Sequence, residues 1–187
     1  MKQILRIILL LTLMTACAPT VESAESNVDI LANLPAPVCD SGPTPEDGQG
    51  PYYLSAAPER TSLIEANTQG ERLIVVGYVV NQDCFSIPYA KLDFWQADAN
   101  GEYDPTGFVM RGFQYTDNKG RFYLETVLPG IYGSRPIRHI HVKVQAPNGP
   151  ILTTQLYFPE GPIEGLTVTL EQRDGFLLAI FTFVIQA

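Results

Sequence analysis

The chain has two histidines among its 187 residues, and both fall within "RPIRHIHVKV", from Arg135 to Val144. In an extended strand alternate side chains share a face, so His139 and His141 would stand side by side while Ile140 turns away. Two adjacent imidazoles offer nitrogen lone pairs to a transition metal, and imidazole suits iron, copper, zinc and nickel alike. The bland reading of the same pair is two exposed rings on a strand edge. Other residues have to decide between the two.

Tyrosine is the next ligand type to consider, and the chain has nine. Tyr103 follows an Asn-Gly turn in "DANGEYDP", and Tyr132 follows Pro-Gly in "LPGIYGSRP", seven residues before His139. A tyrosine beside a turn can send its hydroxyl into a cleft at the rim of a sandwich. Most tyrosines simply pack the ring and hydrogen-bond the hydroxyl.

Such residues need strands to hold them. Apolar or alternating runs occupy Leu73 to Val80, Ala90 to Ala97, Phe108 to Thr116, Arg121 to Val127, His139 to Ala146, Leu152 to Phe158, Leu166 to Leu170 and Phe176 to Ile185. They are rich in Val, Ile, Thr, Tyr and Phe, and Asn-Gly, Asn-Lys-Gly and Pro-Gly separate several of them, which are strand and turn signals. No stretch of this region keeps a helical period with caps. Short strands at this spacing predict an all-β fold, an antiparallel β-sandwich. The final run, "FLLAIFTFVI", is too short to cross a bilayer as a helix and reads as a closing core strand.

The opening residues, "MKQILRIILLLTLMTACAPT", combine a basic start at Lys2 and Arg6, an apolar run from Ile7 to Met14 and small residues before Cys17. That layout predicts a signal peptide over residues 1–16 and an exported, bacterial cell-envelope protein. Cys17 resembles the lipidated cysteine of bacterial lipoproteins, which implies membrane attachment in the periplasm. Residues 17–49, rich in Pro, Glu, Ser and Gly, read as a lipid-anchored tether and irregular arm, with the domain over 50–187. Loss of Lys2 and Arg6 takes the formal charge from −8 to −10. Such an acidic domain is unsuited to nucleic acid. Besides Cys17 only Cys39 and Cys84 remain; an exported compartment permits one bridge between them, with two free thiols as the alternative.

Taken together, "GPYYL" (50–54), "LIVVGYVV" (73–80), "DCFSIPYAKLDFWQADANGEYD" (83–104), "MRGFQYTDNKGRFYLETVLPGIY" (110–132), "RPIRHIHVKV" and "LTTQLYF" (152–158) resemble, in this order, the intradiol ring-cleavage dioxygenases. The resemblance implies a β-sandwich that holds Fe(3+) through Tyr103, Tyr132, His139 and His141. It implies that a small aromatic diol of the catechol type binds the metal through both oxygens, and that Tyr132 leaves the metal and accepts a substrate proton while Tyr103 stays. O2 then attacks the ring, and cleavage between the hydroxylated carbons gives a muconate-type diacid carrying both oxygen atoms. Gln155 matches the family's glutamine beside the site. The family's arginine sits where this chain has Pro136; Arg135 and Arg138 flank it, and the shared "RP" favours Arg135.

The donor types agree with that metal. Ferric ion is a hard acid, for which phenolate oxygen is a better partner than thiolate, and a bound cation favours the deprotonated ligand. Two other readings stand beside this one. The domain can be a non-catalytic, lipid-anchored β-sandwich binding module, or the histidine pair can act with a carboxylate such as Glu125 in a different metal enzyme.

Overall fold

Along "KLDFW" and "HIHVKVQ" every second residue is apolar, which sends Leu92, Phe94, Ile140, Val142 and Val144 to one side, and that side is the core. The computed structural model describes residues 27–133 and 135–187. One sheet has the order β4-β1-β8-β7, from β1 (Arg72–Asn81), β4 (Arg121–Val127), β7 (Thr169–Arg173) and β8 (Phe176–Ile185). The other has the order β3-β2-β5-β6, from β2 (Lys91–Trp95), β3 (Arg111–Tyr115), β5 (His139–Gln145) and β6 (Ile151–Tyr157). Leu73, Val75, Leu124, Ala179, Phe181 and Phe183 of the first sheet meet Leu92, Phe94, Ile140, Val142, Val144 and Leu156 of the second. The sandwich expected from the strand spacing is therefore present, and its neighbouring strands run antiparallel with one exception: β1 and β8 pair in parallel.

That exception explains the unbroken apolar runs "LIVV" and "FLLAIF". A strand buried on both faces reads as continuously hydrophobic. Here the inner face of β1 and β8 meets the opposite sheet, while Ile74, Val76, Phe176 and Leu178 on the outer face pack against Ile30 of a short helix, α1 (Asn27–Ala32). Ile30 is 4% exposed. The segment ahead of the domain is thus more than a tether: from α1 onward it folds against the first sheet, because that face is apolar and has to be covered.

From α1 the chain wraps around the sandwich. Thr44 donates its backbone N–H to Val184 of β8, and its hydroxyl accepts the Val184 N–H. The Pro45 carbonyl then accepts from Thr154, and the Asp47 N–H donates to Thr153 on the edge strand β6. Tyr53 finishes on the outer face of the second sheet, its ring 4.8 Å from that of Trp95 and 3.7 Å from the Lys143 ammonium, its hydroxyl on Asp93. Cys39 in this arm is bonded to Cys84 in the turn after β1, with the α-carbons 5.8 Å apart, so the bridge permitted by the sequence is made.

Two strands differ from their expected limits. The run from Phe108 to Thr116 shortens to β3 because the Asp104 carboxylate accepts the backbone N–H groups of Thr106, Gly107 and Val109 and coils the chain there. The run from Leu166 to Leu170 starts late as β7, since Leu166 and Val168 first bridge to Tyr157 of the opposite sheet. The signal segment and Cys17 lie outside the described residues.

Candidate active site

Because Ile140 and Val142 point into the core, His139 and His141 point out of it. The candidate site therefore lies on the outer face of the second sheet, near its end, and not in a cleft at the sandwich rim. Strand register supplies the neighbours. Tyr157 stands opposite His139, and Gln155 and Trp95 flank His141 on either side. The Trp95 indole stacks on the His141 imidazole at 4.9 Å with 2° between the planes, which fixes the ring's orientation.

Two turns carry the tyrosines, and they are pressed together. Gly101, at φ +85, lies so close to Ile131 that a Cβ would stand 2.2 Å from its carbonyl oxygen, and one on Gly130 would stand 2.2 Å from the Gly101 nitrogen. The Gly130 N–H donates to the Asp98 carbonyl at 2.7 Å. Only glycine allows two backbones this close. The contact places Tyr103 and Tyr132 edge to face, 5.7 Å between ring centres.

The four rings form a closed circuit. Tyr132 is 5.9 Å from His139, His139 is 4.8 Å from His141, and His141 is 6.4 Å from Tyr103. The Nδ1 of His139 lies 2.8 Å from the Ile137 carbonyl. A carbonyl only accepts, so Nδ1 carries the proton and Nε2 presents its lone pair. That Nε2, Nδ1 of His141 and the Tyr103 hydroxyl are all buried without a hydrogen-bond partner. Buried polar atoms are nearly always satisfied, and a cation bound within the circuit of rings would satisfy these three. Burial holds both imidazoles neutral: His139 is lowered from the usual histidine range, and His141 falls to about 3, with the neighbouring His139 ring and the Arg135 guanidinium adding to the burial. Burial and the adjacent Tyr132 phenol push Tyr103 up, opposed by Arg135 and Arg111. Two phenol oxygens, that of Tyr103 costly to ionise in this burial, and two neutral imidazoles fit Fe(3+), whose charge would offset the phenolates.

Arg135 is the arginine that reaches this set. One terminal nitrogen donates to Gln155 Oε1 at 2.9 Å and to the Tyr157 hydroxyl at 3.0 Å. Arg138 is engaged with Glu160 and the Pro129 carbonyl instead. Glu125 lies on β4 in the other sheet, 2.7 Å from Arg72, so it does not join the histidines. Among the described residues, no three or more His, Cys, Asp and Glu side chains cluster to hold a metal.

Three residues that the sequence reading passed over complete the site. Tyr52 stacks on Tyr103 at 4.3 Å, 12° from parallel. Tyr157 donates its hydroxyl to Asp47 at 2.6 Å. Tyr157 was within reach of sequence reasoning: the left-handed Asn148 centres a hairpin, and reflecting "HIH" about it lands on "QLY". Nothing local signals Asp47.

A family model described as "Dioxygenase" matches residues 48–169. The chain belongs to the intradiol ring-cleavage dioxygenases. This dioxygenase is 30% identical to the catechol 1,2-dioxygenase of Acinetobacter baylyi over 164 residues, which cover 72% of it and 52% of that protein. It thus spans about half the length of the curated relatives it matches. The dioxygenase domain of a dioxygenase and carbohydrate-binding protein fusion from Streptomyces sp. SirexAA-E is 44% identical, with a TM-score of 0.74 over 78% of this chain and 99% of that one. The catechol 1,2-dioxygenase of Pseudomonas arvilla C-1, 22% identical with a TM-score of 0.69 over 78% of this chain and 63% of that one, shares the fold.

Proposed function

We propose that this dioxygenase is a non-haem iron(III) enzyme that opens a catechol-type ring between its two hydroxylated carbons and yields a muconate-type diacid. The observation that carries the reading is the circuit of Tyr103, Tyr132, His139 and His141 with its orphaned buried donors. These four side chains would hold the iron. When bound, ferric iron draws electron density from a chelated diol and so opens the ring to O2.

The chain's own groups do the rest. Tyr132, half-buried and with an exposed glycine beside it, takes a proton from the diol on its oxygen when that oxygen is ionised, and becomes the neutral phenol. Tyr103, its hydroxyl buried, stays in place, and the stacked Tyr52 ring shields it from water. The Arg135 guanidinium, set by Gln155 and Tyr157, stabilises negative charge as it builds on the ring, a preorganised electrostatic contribution. Oxygen uptake measured across catechol, protocatechuate, hydroxyquinol and larger aromatic diols, with product identification, tests the reading. Ring cleavage outside the hydroxylated pair would overturn it, and no uptake by fully iron-loaded protein would overturn it in favour of a binding module. Export and lipid attachment through Cys17 belong to the same proposal, and labelling with a radioactive fatty acid tests them: label should enter the native chain and not Cys17→Ser.

A further inference from the structure

The arginine of this site is held by a segment outside the sandwich. Tyr157 and Gln155 both accept from the same nitrogen of Arg135, and each is itself oriented by the arm. Gln155 donates its amide to the Gly48 carbonyl at 2.7 Å, which leaves Oε1 facing Arg135. Tyr157 donates to Asp47 Oδ2 at 2.6 Å, which leaves its oxygen lone pairs facing Arg135. A tyrosine has one hydroxyl proton, and a second acceptor competes for it: Gln155 Oε1 lies 3.2 Å away. Were Asp47 absent, the Tyr157 proton would turn to Gln155 Oε1 and take one of the two lone pairs of the oxygen that Arg135 uses, drawing it out of line with the guanidinium. Asp47 is itself fixed, its N–H bonded to Thr153 on β6 at 3.0 Å.

We infer that Asp47 is a positioning residue for Arg135: by holding the Tyr157 proton away from Gln155, it keeps two acceptors turned to the guanidinium and fixes that cation beside the four rings. The inference rests on the dioxygenase reading for its catalytic consequence, and on the hydrogen-bond geometry alone for its structural one. A misplacement of about 1 Å at a catalytic group can cost about 100-fold, and loss of a group that orients a metal-site residue typically costs about 10- to 100-fold.

Asp47→Ala and Asp47→Asn, each alone and combined with Arg135→Lys, test it in the full iron-loaded chain. Asp47→Ala should lower kcat about 10- to 100-fold, with KM changed less than about threefold and the iron content and visible absorption kept. Asp47→Asn, whose amide oxygen still accepts from Tyr157, should lose less. In the Arg135→Lys background the Asp47→Ala loss should largely vanish, since residues acting through one another are not additive. A loss of equal size in both backgrounds, or no loss of kcat, overturns the inference. The second arm needs no turnover. In the metal-free protein the Arg135 side-chain N–H signal in a nitrogen-15 spectrum should move and exchange faster with water in Asp47→Ala, and a signal identical to the native one overturns the inference whether or not any diol is consumed. Absence of oxygen uptake by the native chain counts against the dioxygenase reading alone. Should Asp47→Ala fail to fold, Asp47→Asn carries both arms.

Discussion

Gly50 shows how closely the arm approaches the ring circuit. At φ +67 its α-carbon faces His141, where a Cβ would stand 3.1 Å from Cε1 and 3.4 Å from Nε2. Gly50→Ala should cost about 1–2 kcal/mol for the left-handed backbone and displace either the arm or the imidazole; thermal melting together with the visible absorption of the iron-loaded protein would report both. On the proposed iron(III) reading Tyr103→Phe removes one phenolate ligand, so the phenolate-to-iron absorption should shift and turnover fall. The buried imidazoles also set an acid limit. His141 titrates near 3 when folded and near 6.5 when unfolded, so as pH falls the unfolded chain takes up the proton first, and stability declines from about pH 6.5 towards pH 3. Between pH 7 and 5 the metal-free protein should lose about 2 kcal/mol from this ring, measurable by urea denaturation and diminished in His141→Phe. His139, lowered in the same direction, adds to it.

Among the elements, the arm contributes more than its composition implies. Its Pro, Ser and Gly content reads as a linker, and only the lone apolar patch at Ile30, Leu31 and Leu34 marks the part that packs; a single helical turn is too short to show a period. Ile30→Ala should cost about 2–3 kcal/mol, measured by denaturation. The Cys39–Cys84 bond closes a loop of 45 residues and should contribute about 4 kcal/mol through restriction of the unfolded chain; unfolding with and without reductant checks it, with Cys39→Ser/Cys84→Ser as the control. The strands were far more legible, because period-two alternation in "KLDFW" and "HIHVKVQ" reports a half-buried sheet directly. Where a side chain caps backbone amides, as Asp104 does, apolar content at Phe108 and Val109 misstates the strand limit. Both residues are exposed there.

For the whole molecule, the ring circuit was legible because its members come with local signals, a strand pair and two glycine turns. Asp47 was not, since its partner Tyr157 lies 110 residues away and only the wrapping path brings them together. The site's position was also hidden: strand patterns say which residues leave the core, but not that an arm will roof the face they reach. Deleting residues 1–43 should keep that roof yet bare Ile74, Val76, Phe176 and Leu178, and size-exclusion chromatography should then show self-association through the uncovered face.

The path of the arm also sets a direction. The chain arrives on one broad side of the sandwich, at α1, and builds its reactive face on the other, at Tyr52 and Tyr53. The described chain therefore enters at the face opposite the ring circuit, so whatever precedes Asn27 joins the domain on the side away from Tyr103, Tyr132, His139 and His141.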